Sequence, residues 1–192
     1  MPSWRVFSLA TALSLWVTGL VFQHLWSPRS DLPYLSSRTP KRLVVHGSGL
    51  LYFVALGQTS HVDVNDLAHR YQQRYGLSIR VLPPVPLPQQ GGRQPATRVI
   101  RMLKDALPEL VADPQSIIIA VTDVNMDNYS WRDDERFAVV SRSALTKAQF
   151  EKEVSRSLGL LWFELPMSTD PRSVLYDNVK GKADIDRMSA DF

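Results

Sequence analysis

Ser116-Ile117-Ile118-Ile119-Ala120-Val121-Thr122 holds five consecutive apolar side chains, four of them β-branched. A run this short and this uniformly apolar is predicted to be a strand covered on both faces, the situation of an inner strand of a parallel sheet. Leu50-Leu51-Tyr52-Phe53-Val54-Ala55-Leu56, closed by Gly57, reads the same way. Between these two strands the apolar period lengthens to that of a helix. Val64, Leu67, Ala68 and Tyr71 mark a helix over Val62 to Tyr75, with Asp63 or Asn65 as its cap and Gly76 as its stop. Leu77 to Leu82 alternates like a strand. Val99, Ile100, Leu103, Leu107 and Leu110 then give a second amphipathic helix over Ala96 to Val111, with Pro108 kinking or restarting it. Arg136 to Ser141 forms a further strand. Phe150, Val154, Leu158 and Leu161 stripe a long helix over Thr146 to Phe163. Strands alternating with helices predict an α/β fold, a mainly parallel sheet with packed helices.

Composition narrows the chemistry. The 192 residues suit one domain of ordinary size, and a net charge of +3 is too small to point to nucleic acid. With no Cys there are no disulfides, thiolate metal sites or Cys nucleophiles. All four His (His24, His46, His61 and His69) lie in the first 69 residues. Chemistry in the C-terminal part therefore relies on carboxylates, hydroxyls, Lys and Arg. His61 and His69 are eight apart on the first predicted helix, a spacing suited to surface or capping roles. Asp123, Asp127, Asp133 and Asp134 cluster around a loop without EF-hand spacing and read as turn residues. Leu82 to Pro88, with Pro83 and Pro86 in P-x-x-P spacing, reads as a stiff extended connection.

The N-terminus has a different character. Residues 1–5 form a short tail, and Val6 to Phe22 is 17 residues without a charge, an uncharged stretch that continues to Trp26. About 20 such residues cross a bilayer as a helix. Bulky Val21 to Trp26 stands where a cleaved signal peptide has small residues, so 6–26 is expected to be a single-pass anchor. Residues 27–41, rich in Pro and Ser, are expected to be a polar tether, and 42–192 the folded domain. Arg29, Arg38, Lys41 and Arg42 weigh toward a cytoplasmic domain by the positive-inside rule. The short tail before an apolar run is an export layout and weighs toward the outside, which is the expectation adopted.

Several phrases occur in a familiar order: Leu82 to Pro88, Ala120-Val121-Thr122-Asp123, Arg136 to Ser141, Ser173 to Asn178 and Asp186-Arg187-Met188. Over roughly residues 50–192 the chain resembles the archaemetzincins and their bacterial relatives. That resemblance implies a zinc metallopeptidase with a compact metzincin-like α/β fold and the motif HExxHxxGxxH. Two His a helical turn apart, and a third after a Gly-mediated bend, would hold the metal, with the Glu as general base. Aligned on Gly159, the segment here reads Lys152-Glu153-Val154-Ser155-Arg156-Ser157-Leu158-Gly159-Leu160-Leu161-Trp162. Glu153 and Gly159 stand in place. Lys152, Arg156 and Trp162 occupy the three ligand positions, and none of them offers Zn²⁺ a lone pair near neutral pH. Zinc is therefore expected for the family and lost here, with no cofactor in its stead. Leu175 falls where the resemblance places a Met beneath the metal, and the family's Cys-bound second zinc is ruled out by composition. Tyr129-Ser130-Trp131-Arg132 runs straight into acidic residues, which implies a shortened cleft edge.

These residues suggest a membrane-anchored, catalytically degenerate relative, a pseudopeptidase used for binding or scaffolding a peptide or protein. Lys152 and Arg156 share a helix face and, with Trp162, can form an anion or peptide pocket; alternatively they are a solvated basic stripe, with Glu153 a relic base. Two further readings stay open. One is a non-zinc hydrolase of peptides using Glu153, and the other a purely structural envelope protein.

Overall fold

The computed structural model describes residues 50–88, 92–133 and 136–192, all within one of the two units into which the chain divides, Lys41–Phe192. The expected anchor (6–26) and tether (27–41), with His24 and His46, lie outside the described residues. No described helix is long and apolar enough to cross a membrane.

The sheet has five strands: β1 (Leu50–Leu56), β2 (Ile79–Val85), β3 (Ser116–Thr122), β4 (Ser130–Asp133) and β5 (Phe137–Ser141), in the order β2-β1-β3-β5-β4. β1 and β3 pair in parallel along their whole length, Leu50 opposite Ser116 through Leu56 opposite Thr122. β2 joins β1 and β5 joins β3, also in parallel; only β4 runs antiparallel, against β5. The alternation explains the unbroken apolar runs. Leu51, Phe53, Ala55, Ile117 and Ile119 face one core and Tyr52, Val54, Leu56, Ile118 and Ala120 the other.

Helices α1 (His61–Tyr75) and α4 (Lys147–Leu161) cover the first face, and α2 (Ala96–Ala106) the second. α3 (Pro108–Ala112) restarts the chain after Leu107, with Pro108 at the first turn, where its missing N–H costs nothing. Ser60 caps α1, displacing the expected Asp63 or Asn65, which are the third and fifth residues of the helix; Gly76, at φ 66°, ends it in the left-handed region. Thr146 and Gln149 form a reciprocal capping box that fixes the start of α4. Pro83 and Pro84 fall within β2, an edge strand that tolerates the missing donors.

The sequence signal missed two elements. β4 is four half-buried residues on the sheet edge, too polar and too short to show a period, and it occupies the cleft edge that the resemblance implied was shortened. α5 (Lys182–Arg187) is a six-residue helix whose only buried side chain is Ile185.

The end of α4 departs from the expected bend. The helix runs straight through Gly159 to Leu161, and Trp162 keeps right-handed helical torsions. The left-handed residue that turns the chain is Glu164, φ 49°, five positions beyond Gly159, and the Leu165 N–H returns to the Gly159 carbonyl. Gly159 is needed for a close approach instead. A Cβ there would stand 2.7 Å from Leu175 Cδ2 and 3.2 Å from Phe192 Cδ1. Leu175 is buried among Leu160, Val174, Leu165 and Met167 and has little room to yield. Gly159→Ala gains about 1 kcal/mol of helix propensity and loses about 1–3 kcal/mol to overpacking, so a net destabilisation of about 1 kcal/mol is expected. In a Leu175→Ala background the same substitution is expected to stabilise. Chemical denaturation of the four variants tests both signs.

Candidate functional site

Helix α4, strand β4 and the segment after Tyr176 border a half-open cavity of about 140 Å³ whose lining includes Asp127, Tyr129, Ser130, Glu153, Arg156 and Lys180. Glu153 is only 1% exposed. Its Oε2 accepts a 2.5 Å hydrogen bond from Ser130 Oγ, so the unforeseen edge strand supplies the carboxylate's closest partner. One turn along, the Arg156 guanidinium lies 3.9 Å from the same oxygen and donates at 2.6 Å to the Tyr176 carbonyl. Burial lowers the proton affinity of Arg156, with Glu153 and then Asp177 acting in the opposite direction. Arginine still holds its charge at any physiological pH. Glu153 Oε1 and Arg156 Nε are both buried without a hydrogen-bond partner.

Arg156 is therefore no part of a solvated stripe: it is 6% exposed. Lys152 and Trp162, grouped with it by sequence position, go elsewhere. Lys152 Nζ donates at 2.9 Å to the carbonyls of Ile185 and Asp186, where a cation suits the C-terminal end of α5. Trp162 packs into the core between the sheet, α1 and α4. The reason is periodicity. Six residues of unbroken helix carry Trp162 about 240° round from Arg156, onto the side that Leu158 and Leu161 present to the sheet. The structure thus brings Glu153 and Arg156 together and leaves Lys152 and Trp162 outside the cavity. Ser130, Asp127 and Lys180 join the site without having been singled out for it, because long-range pairing of β4 and the path of the C-terminal segment place them there.

The remaining candidates have structural work. Asp127 Oδ1 accepts from the Ala96 N–H and so caps α2 from a distant loop. Asp123 binds Arg142, which also reaches Asp63, and Arg142 holds the Asp123 carboxyl below its ordinary range. Asp133 pairs with Lys104. His61 Nδ1 meets Asn65 Nδ2 at 2.9 Å, and His69 is exposed. Among the described residues no three His, Cys, Asp or Glu side chains are grouped to hold a metal. A larger hollow of about 470 Å³ opens between α1 and the start of α4, bordered by Asp63, Arg70, Arg142, Phe150 and Glu151. Its charges are largely neutralised in place, Arg142 by Asp63 and Asp123 and Arg70 by Glu151.

This architecture matches solved structures. The archaemetzincin of Methanopyrus kandleri is 20% identical, with a TM-score of 0.55 over 78% of this chain and 92% of that one. The archaemetzincin of Archaeoglobus fulgidus, solved complexed with malonate, is 18% identical, with a TM-score of 0.56 over 74% and 95%. The fold is archaemetzincin-like. A zinc-dependent peptidase from Methanocorpusculum labreanum agrees at 13% identity and a TM-score of 0.57 over 74% and 95% of the two chains. No family model matches the sequence, nor does any curated protein. At these identities the likeness concerns the archaemetzincin-like fold alone, and the chemistry of the site rests on its own residues.

Proposed function

We propose that the protein is a catalytically degenerate archaemetzincin-like protein, a pseudopeptidase anchored in the membrane by residues 6–26, whose cleft serves binding rather than hydrolysis. The observation that carries this reading is the buried Arg156 guanidinium set 3.9 Å from Glu153. A zinc peptidase needs neutral imidazoles around its metal and a carboxylate free to take a proton from the metal-bound water. Here the second ligand position holds a permanent cation with no lone pair, Lys152 is engaged by α5 and Trp162 is in the core. The residues present do not fit zinc. A dication entering beside Arg156 would meet like charge at short range, and of the two carboxylates in the lining Glu153 faces that guanidinium while Asp127 is engaged in capping α2.

The test is zinc content and peptide hydrolysis by the full chain in detergent, purified without a metal-affinity tag and dialysed against micromolar zinc. Far less than one zinc per chain and no cleavage are expected. One zinc per chain, or cleavage that Glu153→Gln abolishes, overturns the reading. The export layout of the N-terminus supports an extracytoplasmic domain, periplasmic or on the cell surface, so protease added to spheroplasts is expected to digest residues 42–192; protection there, lost on lysis, would place the domain inside.

A further inference from the structure

Residues Ser189 to Phe192 join two parts of the molecule that no secondary-structure element connects. At one end they are seated where α1 and α4 finish. Asp191 accepts from Arg74 and from the Tyr75 hydroxyl, in the last turn of α1. Phe192 stacks on Tyr75, ring centroids 5.2 Å apart and planes 13° from parallel, and meets Phe163, just beyond α4, at 4.9 Å. Its ring also lies over Gly159. At the other end they hold the border of the Glu153–Arg156 cavity. The Ser189 N–H donates at 2.6 Å to the Arg172 carbonyl, and Ser189 Oγ accepts at 3.3 Å from the Val174 N–H. Two residues further on, the Tyr176 carbonyl takes the hydrogen bond of Arg156, and Val179 and Lys180 line the cavity.

The seat is specific and its hold is light. Phe192 is 40% exposed, the one large apolar side chain so open to solvent among the described residues. The Asp191–Arg74 pair is exposed too, and an exposed ion pair beside a half-open aromatic stack contributes little against the entropy of a free chain end. Immediately before Ser189 the hold is firm: Met188 and Ile185 are buried, and Lys152 fixes the Ile185 and Asp186 carbonyls. Opening therefore stops at Met188 and leaves the core intact, the behaviour of a unit that unfolds locally. Arg156, 6% exposed, is reached only when the border that carries Tyr176 moves. We propose that Ser189–Phe192 is a releasable strap: seated on Tyr75 and Phe163 it pins Arg172–Tyr176 and keeps the Arg156 side of the cavity shut, and released it lets that border open. The inference rests on the binding reading above for the use of the cavity and adds how access to it is controlled.

Amide hydrogen exchange of the full chain in detergent, read by mass spectrometry, tests it against Asp191→Ala/Phe192→Ala, two exposed changes that empty the seat. Exchange over residues 172–177 is expected to quicken about tenfold or more, with the β3 amides of Ser116–Thr122 unchanged. Ser189→Ala leaves the seat filled and removes the tie to Val174, and it is expected to quicken the same residues. Labelling of Arg156 by phenylglyoxal is expected to rise about tenfold in the double variant. Parental exchange over 172–177 in the double variant overturns the proposal. So does an equal acceleration of β3, which would make these residues part of the global fold, and so does unchanged labelling of Arg156. Zinc content and peptide cleavage are measured on the same preparation. Stoichiometric zinc or cleavage defeats the pseudopeptidase reading, whereas the exchange and labelling rates decide the strap alone.

Discussion

Arg156→Met is expected to lower the unfolding free energy of the domain by about 3–5 kcal/mol, the usual cost of stranding one member of a buried ion pair. Glu153 is 1% exposed, and without Arg156 its remaining side-chain partner is the Ser130 hydroxyl. The Tyr176 carbonyl loses its 2.6 Å donor in the same step. For a domain of this size the loss corresponds to a drop in melting temperature of roughly 10 °C. Glu153→Gln/Arg156→Met leaves no charge buried and is expected to recover much of that stability, giving a coupling energy of about 1–3 kcal/mol in the double-mutant cycle. Differential scanning calorimetry of the four proteins decides the matter. An Arg156→Met domain as stable as the parent would mean that the Glu153 carboxylate is not held as a buried charge, and the site as described would fall with it.

Trp162→His is the second large effect, about 3 kcal/mol of destabilisation, because a core indole is replaced by a smaller polar ring. Its sharper consequence concerns metal. Lys152→His/Arg156→His places two imidazoles one turn apart, a spacing that binds Zn²⁺ by itself. In the motif that the chain resembles, a bend after the Gly swings a third His toward those two. Here α4 does not bend at Gly159, the turn is deferred to Glu164, and position 162 faces the core. Adding Trp162→His to the double variant is therefore expected to leave zinc affinity unchanged. Competition titration with a fluorescent chelator measures it, and a tenfold or greater gain from the third His would show that α4 bends toward the other two imidazoles.

The deferred bend connects these expectations. Once a helix continues through the position where a metal site needs a turn, the third ligand position becomes a core position, and an aromatic residue there adds stability that an imidazole would not. Leu175, packed against Gly159, occupies the space beneath the helix. Lys152, Arg156 and Trp162 have three separate structural roles: one cation secures the end of α5, one faces Glu153, and the indole fills the core.

How much of this was legible in the sequence depended on how local the cause was. β1, β3 and the span of α4 were readable because continuous apolar runs and a helical stripe are contained within a few residues, while the Thr146–Gln149 box that caps α4 was seen only in the structure. The parallel sheet followed from their alternation, and the archaemetzincin-like order of phrases was visible before any geometry. The absence of His and Cys from the C-terminal part also belongs to the sequence alone, since no folding can create a ligand. Tertiary structure decided the rest. β4 exists because Ser130 to Asp133 finds β5, a pairing with no signature in a four-residue polar segment. Burial of Glu153 and Arg156, the diversion of Lys152 to the carbonyls of α5 and the turning of Trp162 into the core depend on helix phase and on segments up to 34 residues away, down to the contact between Lys152 Nζ and the Asp186 carbonyl. Spacing in a motif fixes which residues are near each other along a helix; only the packed chain fixes which way each one faces.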